Sequence, residues 1–198
     1  MGDIQYFKTL ASTHTYARDQ YKAIQADTLI QAGVQTNGFG RRGTPWKSIA
    51  GNFHGTFIFK DANIAPIKSS ELAFVFAVST GKYLDTLTFN DYAFKWPNDL
   101  VVEDHTTGTI KKLGGILIEN MSQDLLLSIG LNIAHAPNNV EPHPSVCLQE
   151  LSPYAAGAFC PGELFGTLKN DLNHYQMIGF EYYETKWQKK CALKVSKS

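Results

Sequence analysis

Thr36-Asn37-Gly38-Phe39-Gly40-Arg41-Arg42-Gly43-Thr44-Pro45-Trp46 sets three glycines around two adjacent arginines. Glycine lets a backbone bend and approach a ligand closely. Arginine supplies a planar donor fork that matches carboxylates and phosphates. Together they describe a lid over a small anionic ligand. The run Gly38 to Gly43 also fits G-x-G-x-x-G, a spacing that holds a dinucleotide only between a strand and a helix. Thr28–Val34 reads as a strand before it. Thr44–Asn52 after it has no helical apolar period and ends in a turn signal. The dinucleotide reading therefore fails. A phosphate loop fails too, because no Gly-Lys-Ser/Thr follows at the required spacing.

Three further segments carry chemistry. In Lys95-Trp96-Pro97-Asn98-Asp99 the proline removes a donor and breaks a strand, presenting an amide and a carboxylate on a rigid turn. Such a pair could hold a metal–phosphate group or accept a proton from an amine; the alternative is an ordinary Pro-Asn-Asp turn. In Lys112-Leu113-Gly114-Gly115-Ile116-Leu117-Ile118-Glu119 a lysine opens an apolar strand that has two glycines where side chains should pack. Glycine inside a strand marks close approach of a ligand or another backbone, and Lys112 would then point a cation at an anion above that floor. The alternative is a solvated lysine with a bulge after it. In Gly130-Leu131-Asn132-Ile133 the amide of Asn132 stands on an apolar strand, so it either ties the core together or contacts a ligand. Ser12-Thr13 and Gln35 are a helix cap and a surface amide, or donors to a polar ligand head.

These segments need elements to hold them. Ser12 or Thr13 caps a helix through about Ile24. Thr28–Val34 and Phe53–Phe59 are strands, and Ser69–Leu87 is a long helix with Glu71 in its first turn. Tyr92–Lys95 and Leu100–Glu103 are short strands flanking the Pro97 turn, and Asp104–Thr109 carries hairpin turn chemistry. Leu113–Glu119 and Leu125–Ile133 form a second hairpin through Asn120–Asp124. His135–Ser145 is a loop, and Cys147–Glu150 and Glu163–Lys190 are helical. Strands dominate the middle and helices the ends, which predicts an α+β fold with a mixed, mostly antiparallel sheet backed by helices.

Composition bounds the function. The 198 residues suffice for one domain with a substantial core. Lys+Arg and Asp+Glu both number 18, so the basic excess of a general nucleic-acid binder is missing. Cys147, Cys160 and Cys191 lie far apart in no CxxC pattern, which argues against structural zinc and fits thiols in a reducing cytosol. The N-terminus lacks the pattern of a signal peptide, and no stretch is long and apolar enough to span a membrane. A cytoplasmic protein without DNA or membrane partners is expected.

Five motifs in order resemble the catalytic domain of biotin protein ligases, from about Ser12 to Ala134. They are Ser12-Thr13, then Gln35-Thr36-x-Gly38-x-Gly40-Arg41-Arg42-Gly43-x-x-Trp46, then Lys95-Trp96-Pro97-Asn98-Asp99, then Lys112-Leu113-x-Gly115-Ile116-Leu117-x-Glu119, then Gly130-x-Asn132. The resemblance implies a catalytic core related to class II aminoacyl-tRNA synthetases and to lipoate ligases. It implies activation of biotin by Mg-ATP to biotinyl-5′-adenylate, then transfer to a lysine of a biotin carboxyl carrier protein.

Carried over by resemblance, Arg41, Lys112 and Asp99 are catalytic. Arg41 and Lys112 would face carboxylate and phosphate, and Asp99 would orient or deprotonate the acceptor amine. Ser12, Thr13, Gln35, Gly38, Gly40, Lys112, Gly115 and Leu117 would bind biotin. Arg41, Arg42, Gly43, Trp46, Asn98 and Asn132 would bind ATP and the adenylate, and Asn98 and Asp99 would meet magnesium. The family usually has arginine where this chain has Phe39, so one lid cation is not carried over. Residues 1–198 read as a single catalytic domain, with no DNA-binding region before Ser12 and the C-terminal β-domain of many relatives absent or truncated. A sheet edge is available for a homodimer. The alternatives are a lipoate or octanoate ligase and a non-catalytic biotin or adenylate sensor.

Overall fold

Two strands whose alternate apolar residues enter different clusters set the architecture. Along β2 (Thr28–Gln35) and β3 (Phe53–Phe59), Leu29, Phe57 and Phe59 belong to one apolar cluster while Ile30 and Ile58 belong to another. The period of two in a strand sends alternate side chains to opposite faces. All seven residues of β3 are buried, so both faces of the sheet are covered at its centre.

The computed structural model describes residues 2–62, 69–104, 106–138 and 144–192. The other elements are β1 (Asp3–Leu10), α1 (Thr13–Gln20), α2 (Ser69–Thr86), β4 (Ala93–Lys95), β5 (Asp99–Asp104), β6 (Thr109–Met121) and β7 (Asp124–Leu131). They are followed by α3 (Leu148–Leu151), α4 (Pro153–Ala158), α5 (Pro161–Ile178) and α6 (Glu181–Lys189). The strands make one sheet in the order β1-β2-β3-β7-β6-β5-β4. Among the strands of the described residues β1 and β2 pair in parallel and the other neighbouring pairs are antiparallel. The expected α+β class and mixed sheet are what the structure shows. No helix among the described residues is long and apolar enough to cross a membrane.

One face packs on α2 and α5 through a stack of rings. Phe59 lies 5.9 Å from Phe76 and 5.7 Å from Phe165, and Phe57 lies 5.2 Å from Phe165. Burying one such ring stabilises the fold by about 2–3 kcal/mol. The other face is covered in part by α1, where Ala17 meets Ile30, Ile58 and Leu126. Ser12 starts α1 by accepting the Thr15 backbone N–H at 3.3 Å. Past α1, towards the loop ends of β3, β6 and β7, that face carries polar and small residues.

Several boundaries differ from expectation. β1 has no sequence reading because six of its eight residues are exposed and it shows no buried alternation. α1 stops at Gln20, four residues early, in a turn closed by the Tyr21 N–H on the Ala17 carbonyl. The helix expected over Glu163–Lys190 is two helices, parted where Gly179 takes φ 80°, and α4 is an additional helix, with Pro153 in its first turn. β6 runs well beyond Leu113–Glu119, whereas β7 stops at Leu131, ahead of a bend at Ile133 and Ala134. The loop expected over His135–Ser145 lies partly outside the described residues. A strand–helix–strand unit exists, but as β1-α1-β2 ahead of the glycine loop. The loop itself ends in one 3-10 turn, Arg41–Gly43, and antiparallel β3 is the next element, so no α-helix N-terminus is offered to a pyrophosphate there.

Candidate active site

A cavity of about 320 Å3 opens on the α1 side of the sheet, between the glycine loop and the ends of β5, β6 and β7. Its volume falls at the lower end of the range for small-molecule sites. Its two ends differ in chemistry.

The charged end is built by a bulge. Opposite β5, Val101 pairs with Lys112 but Leu100 pairs with Gly114, so Leu113 is one residue extra. A bulge of this kind re-aims side chains. Leu113 turns into the apolar core while Lys112 and Gly115, three apart, both line the cavity. Asp99 pairs directly with Gly115 in the ladder. A side chain at Gly115 would lie 3.4 Å from Asp99 Oδ1 and 3.4 Å from Lys112 Nζ. The floor is therefore bare beneath the ion pair, Lys112 Nζ to Asp99 Oδ1 at 2.8 Å, with both side chains about a quarter exposed, and a methyl at Gly115 would only touch it. Gly130, the partner of Gly115 on β7, is the position where glycine is needed: a Cβ there would lie 2.6 Å from the Trp46 indole. Trp46 rests on that bare backbone with Lys112 Nζ 5.6 Å from its ring centroid. Its indole N–H is buried with no acceptor among the described residues.

The other end has a neutral lining of hydroxyls, an amide and an imidazole, with the Glu119 carboxylate behind His14. The Thr13 backbone N–H and hydroxyl both donate to Gln35 Oε1, at 2.8 and 3.1 Å. Thr56 Oγ1 donates to Thr13 Oγ1 at 2.9 Å and lies 2.7 Å from Ser128 Oγ. His14 Nδ1 lies 2.8 Å from Ser128 Oγ, and His14 Nε2 lies 2.7 Å from Glu119 Oε2. Burial pushes the His14 pKa below its ordinary value, against the opposing hydrogen bond from Glu119. Ser48 Oγ accepts the Gln35 backbone N–H at 2.8 Å and lies 3.1 Å from buried His54. Burial lowers the His54 pKa to about 4, so that ring is neutral at pH 7.

The glycine loop folds over the cavity as a small hairpin. The Gly40 N–H donates to the Thr44 carbonyl and the Trp46 N–H to the Gly38 carbonyl, at 2.7 and 2.9 Å. Arg41 and Gly40 line the cavity. Gly38 sits behind the wall, where a side chain would lie 2.9 Å from Gln35 Nε2. Arg42 and Gly43 do not line it either: both are exposed, and Arg42 takes φ 56°. A left-handed non-glycine residue costs on the order of 1–3 kcal/mol, so this lid holds local strain.

Of the remaining expected residues, Ser12, Thr13, Gln35, Leu117, Asn98 and Asn132 all line the cavity. Three carry scaffold work as well. Ser12 caps α1. Asn98 Nδ2 donates to the Ile116 carbonyl at 2.6 Å, and the Ile116 N–H returns a bond to the Asn98 carbonyl at 2.9 Å. Asn132 Nδ2 donates to the carbonyls of Lys112 and Val146 at 3.3 and 3.2 Å. For Asn132 the core-tying alternative thus describes the bonds that form. Asp99 and Lys112, given separate roles from the sequence, form one pair.

The sequence reading omitted His14, Thr56, Ser128, Asn52 and His54. Ser128 and Thr56 were detectable as lone hydroxyls at inward positions of apolar strands, and they face each other in the ladder. Asn52 gave no such signal, yet its Oδ1 accepts the backbone N–H groups of Ile133, Ala134 and His135 at 3.0–3.1 Å, closing the chain after β7.

This architecture is that of a known class, the catalytic fold of biotin protein ligases. A biotin protein ligase from Aquifex aeolicus in complex with biotin and ATP superposes with a TM-score of 0.78 at 22% identity, covering 96% of this chain and 78% of that one. The Leishmania major biotin protein ligase in complex with biotinyl-5-AMP gives 0.73 at 24% identity, over 99% and 85%. The sequence profile of the biotin/lipoate A/B protein ligase family matches residues 6–134, and the chain belongs to that family. The bifunctional ligase/repressor BirA of Escherichia coli is 25% identical over 95% of this chain and 59% of its own length. The biotin–[acetyl-CoA-carboxylase] ligase of Paracoccus denitrificans is 31% identical over 64% and 53%. The chain thus spans less than two thirds of the length of these two relatives.

Proposed function

We propose that the chain is an ATP-dependent biotin protein ligase. The observation that carries this reading is the pairing of two unlike ends in one small cavity. Lys112 lines one end, a wall of hydroxyls and an amide forms the other, and Arg41 lines the cavity from the lid. A carboxylic acid with a polar head group spans such a site with its acid towards the cations.

In the first step a biotin carboxylate oxygen attacks the α-phosphorus of ATP, and the bond to pyrophosphate breaks. Two anions must approach each other, so fixed positive charge lowers the barrier. Lys112 is held for that task by Asp99 and Trp46, and Arg41 adds charge from the lid. The buried Trp46 N–H is available to a ligand acceptor. Magnesium enters with ATP as part of the substrate, since it is bound mainly through phosphates, waters and one or two carboxylates. Asp99 is the nearby carboxylate, and Asn98 stands beside it with its Nδ2 committed to Ile116. In the second step the amine of a carrier lysine attacks the acyl carbon and AMP leaves. Asp99 would take the amine proton once Lys112 turns to the phosphate. At the other end Thr13 and Gln35 would meet the biotin head group. The acceptor is a biotin carboxyl carrier domain, the protein works in the cytoplasm, and the outer strand β1, with Tyr6 62% exposed, supports a homodimer through that edge.

The test is to incubate the protein with Mg-ATP, an apo carrier domain and labelled biotin or labelled lipoate. Covalent label from biotin that requires ATP is expected. Label from lipoate alone would refute the assignment, and adenylate without transfer would point to a sensor.

A further inference from the structure

His14 belongs to no motif, yet it sits in the cavity wall, 5% exposed, at the end of a row of polar contacts. The row runs Glu119 Oε2, His14, Ser128 Oγ, Thr56 Oγ1, Thr13 Oγ1, Gln35 Oε1, with five contacts of 2.7, 2.8, 2.7, 2.9 and 3.1 Å. Each contact uses one hydrogen. A carboxylate and an amide oxygen supply none, each hydroxyl supplies one, and a neutral imidazole supplies one. Three hydroxyls and a neutral His14 therefore bring four hydrogens to five contacts. An imidazolium would bring five and fill the row.

Burial favours the neutral ring, opposed by the Glu119 hydrogen bond and aided by the charge of Arg18. Glu119 on β6 and Arg18 on α1 are the charged groups acting on it. The carboxylate takes the single ring hydrogen at Nε2, because a charge-assisted bond is the stronger one. Nδ1 then accepts from Ser128, and because Thr56 donates to Thr13 and Thr13 to Gln35, the missing hydrogen falls between Ser128 and Thr56. Ser128 lines the cavity, so its uncovered lone pair faces the ligand. On the lid side the Phe39 ring stands edge-on to the imidazole, centroids 5.6 Å apart at 81°, and keeps that side apolar.

We propose that His14 is a specificity-determining positioning residue: by staying one hydrogen short it makes the hydroxyl wall an acceptor for ring N–H groups. A cyclic urea supplies them; a dithiolane or a plain alkyl chain does not. The inference rests on the biotin reading above and adds the reason why biotin would be chosen over lipoate or octanoate.

The test measures equilibrium binding of biotin and lipoate to wild type, His14→Leu and His14→Asn at pH 7.5 and pH 5, with the ring tautomer read by 15N NMR in ligand-free wild type. Wild type should show the neutral Nε2–H tautomer at pH 7.5 and lose biotin affinity about tenfold wherever the 15N shifts show the ring protonated. His14→Leu should lose about tenfold at pH 7.5 and narrow the preference for biotin. His14→Asn, whose amide oxygen can replace Nδ1 as acceptor, should recover most of that affinity and lose most of the pH dependence. A hydrogen on Nδ1 at pH 7.5, or an unchanged biotin preference in His14→Leu, would overturn the role of His14. A wild type that prefers lipoate would instead overturn the biotin reading.

Discussion

The two ends of the cavity are built on opposite principles. The neutral end stands on regular elements: Thr13 and His14 in the first turn of α1, Gln35 on β2, Thr56 on β3 and Ser128 on β7. Its groups hold one another in a continuous row of hydrogen bonds. The charged end stands on irregular structure: a bulge beside Lys112, a turn before Asp99, and a hairpin lid bearing Arg41 and Trp46. It is held by one ion pair over a glycine floor, and the arginines are exposed. Recognition of a head group needs fixed donors and acceptors, whereas meeting ATP and a carrier lysine needs charges that can change partners. On the proposed ligase reading, the difference gives selectivity to one end and activation to the other.

That division can be broken by substitution. The largest effect is expected for Lys112→Ala, which should lower the rate of biotin-dependent adenylate synthesis by about 10^3-fold while biotin affinity changes by no more than about tenfold. Near-normal synthesis would remove Lys112 from activation and blur the two ends.

Acid should act on the neutral end first. His54 has a folded pKa of about 4 against an ordinary value of 6.5, through burial. Between those values the unfolded chain takes up a proton that the folded ring refuses, so stability present above pH 6.5 is lost as pH falls towards 4. The loss is about 3 kcal/mol, and His14 adds to it with the same sign. Urea unfolding at pH 7 and pH 4.5 should show this fall, and His54→Gln should reduce it. A pH-independent midpoint would contradict the burial argument.

Thr13→Val removes a hydroxyl from the middle of the row. We expect biotin affinity to fall about 30-fold with the maximal rate at saturating biotin within about threefold of normal. An equal loss in rate would mean that the neutral end also serves the chemistry. The smallest effect is expected for Gly130→Ala. A methyl there displaces the Trp46 ring, which should weaken ATP binding about fivefold and leave biotin affinity in the absence of ATP nearly unchanged.

Much of the charged end was legible in the sequence. Lysine, arginine, aspartate and glycine at fixed spacings are conspicuous, and each glycine that paves the floor marks a close approach that the structure contains. What the spacing could not give was partnership: only the ladder register puts Asp99 opposite Gly115 and brings it to Lys112. Nor could it separate Arg41, which lines the cavity, from Arg42, which a left-handed backbone turns away. The neutral end was half legible. Thr13 and Gln35 came through resemblance, but His14, Thr56 and Ser128 act through contacts 43 to 114 residues apart in the chain, and no local pattern announces them. At the level of fold, buried strands and long helices were readable from periodicity. β1 was not, because an exposed edge strand carries no alternation.

On the proposed reading the two ends together form an acyl-adenylate site selective for biotin. Pyrophosphate–ATP exchange by the wild-type protein, measured with biotin, with lipoate and without either, tests it most directly. The account predicts exchange that depends on biotin and is at background with lipoate. Exchange with lipoate alone, or none above background with biotin, would contradict it.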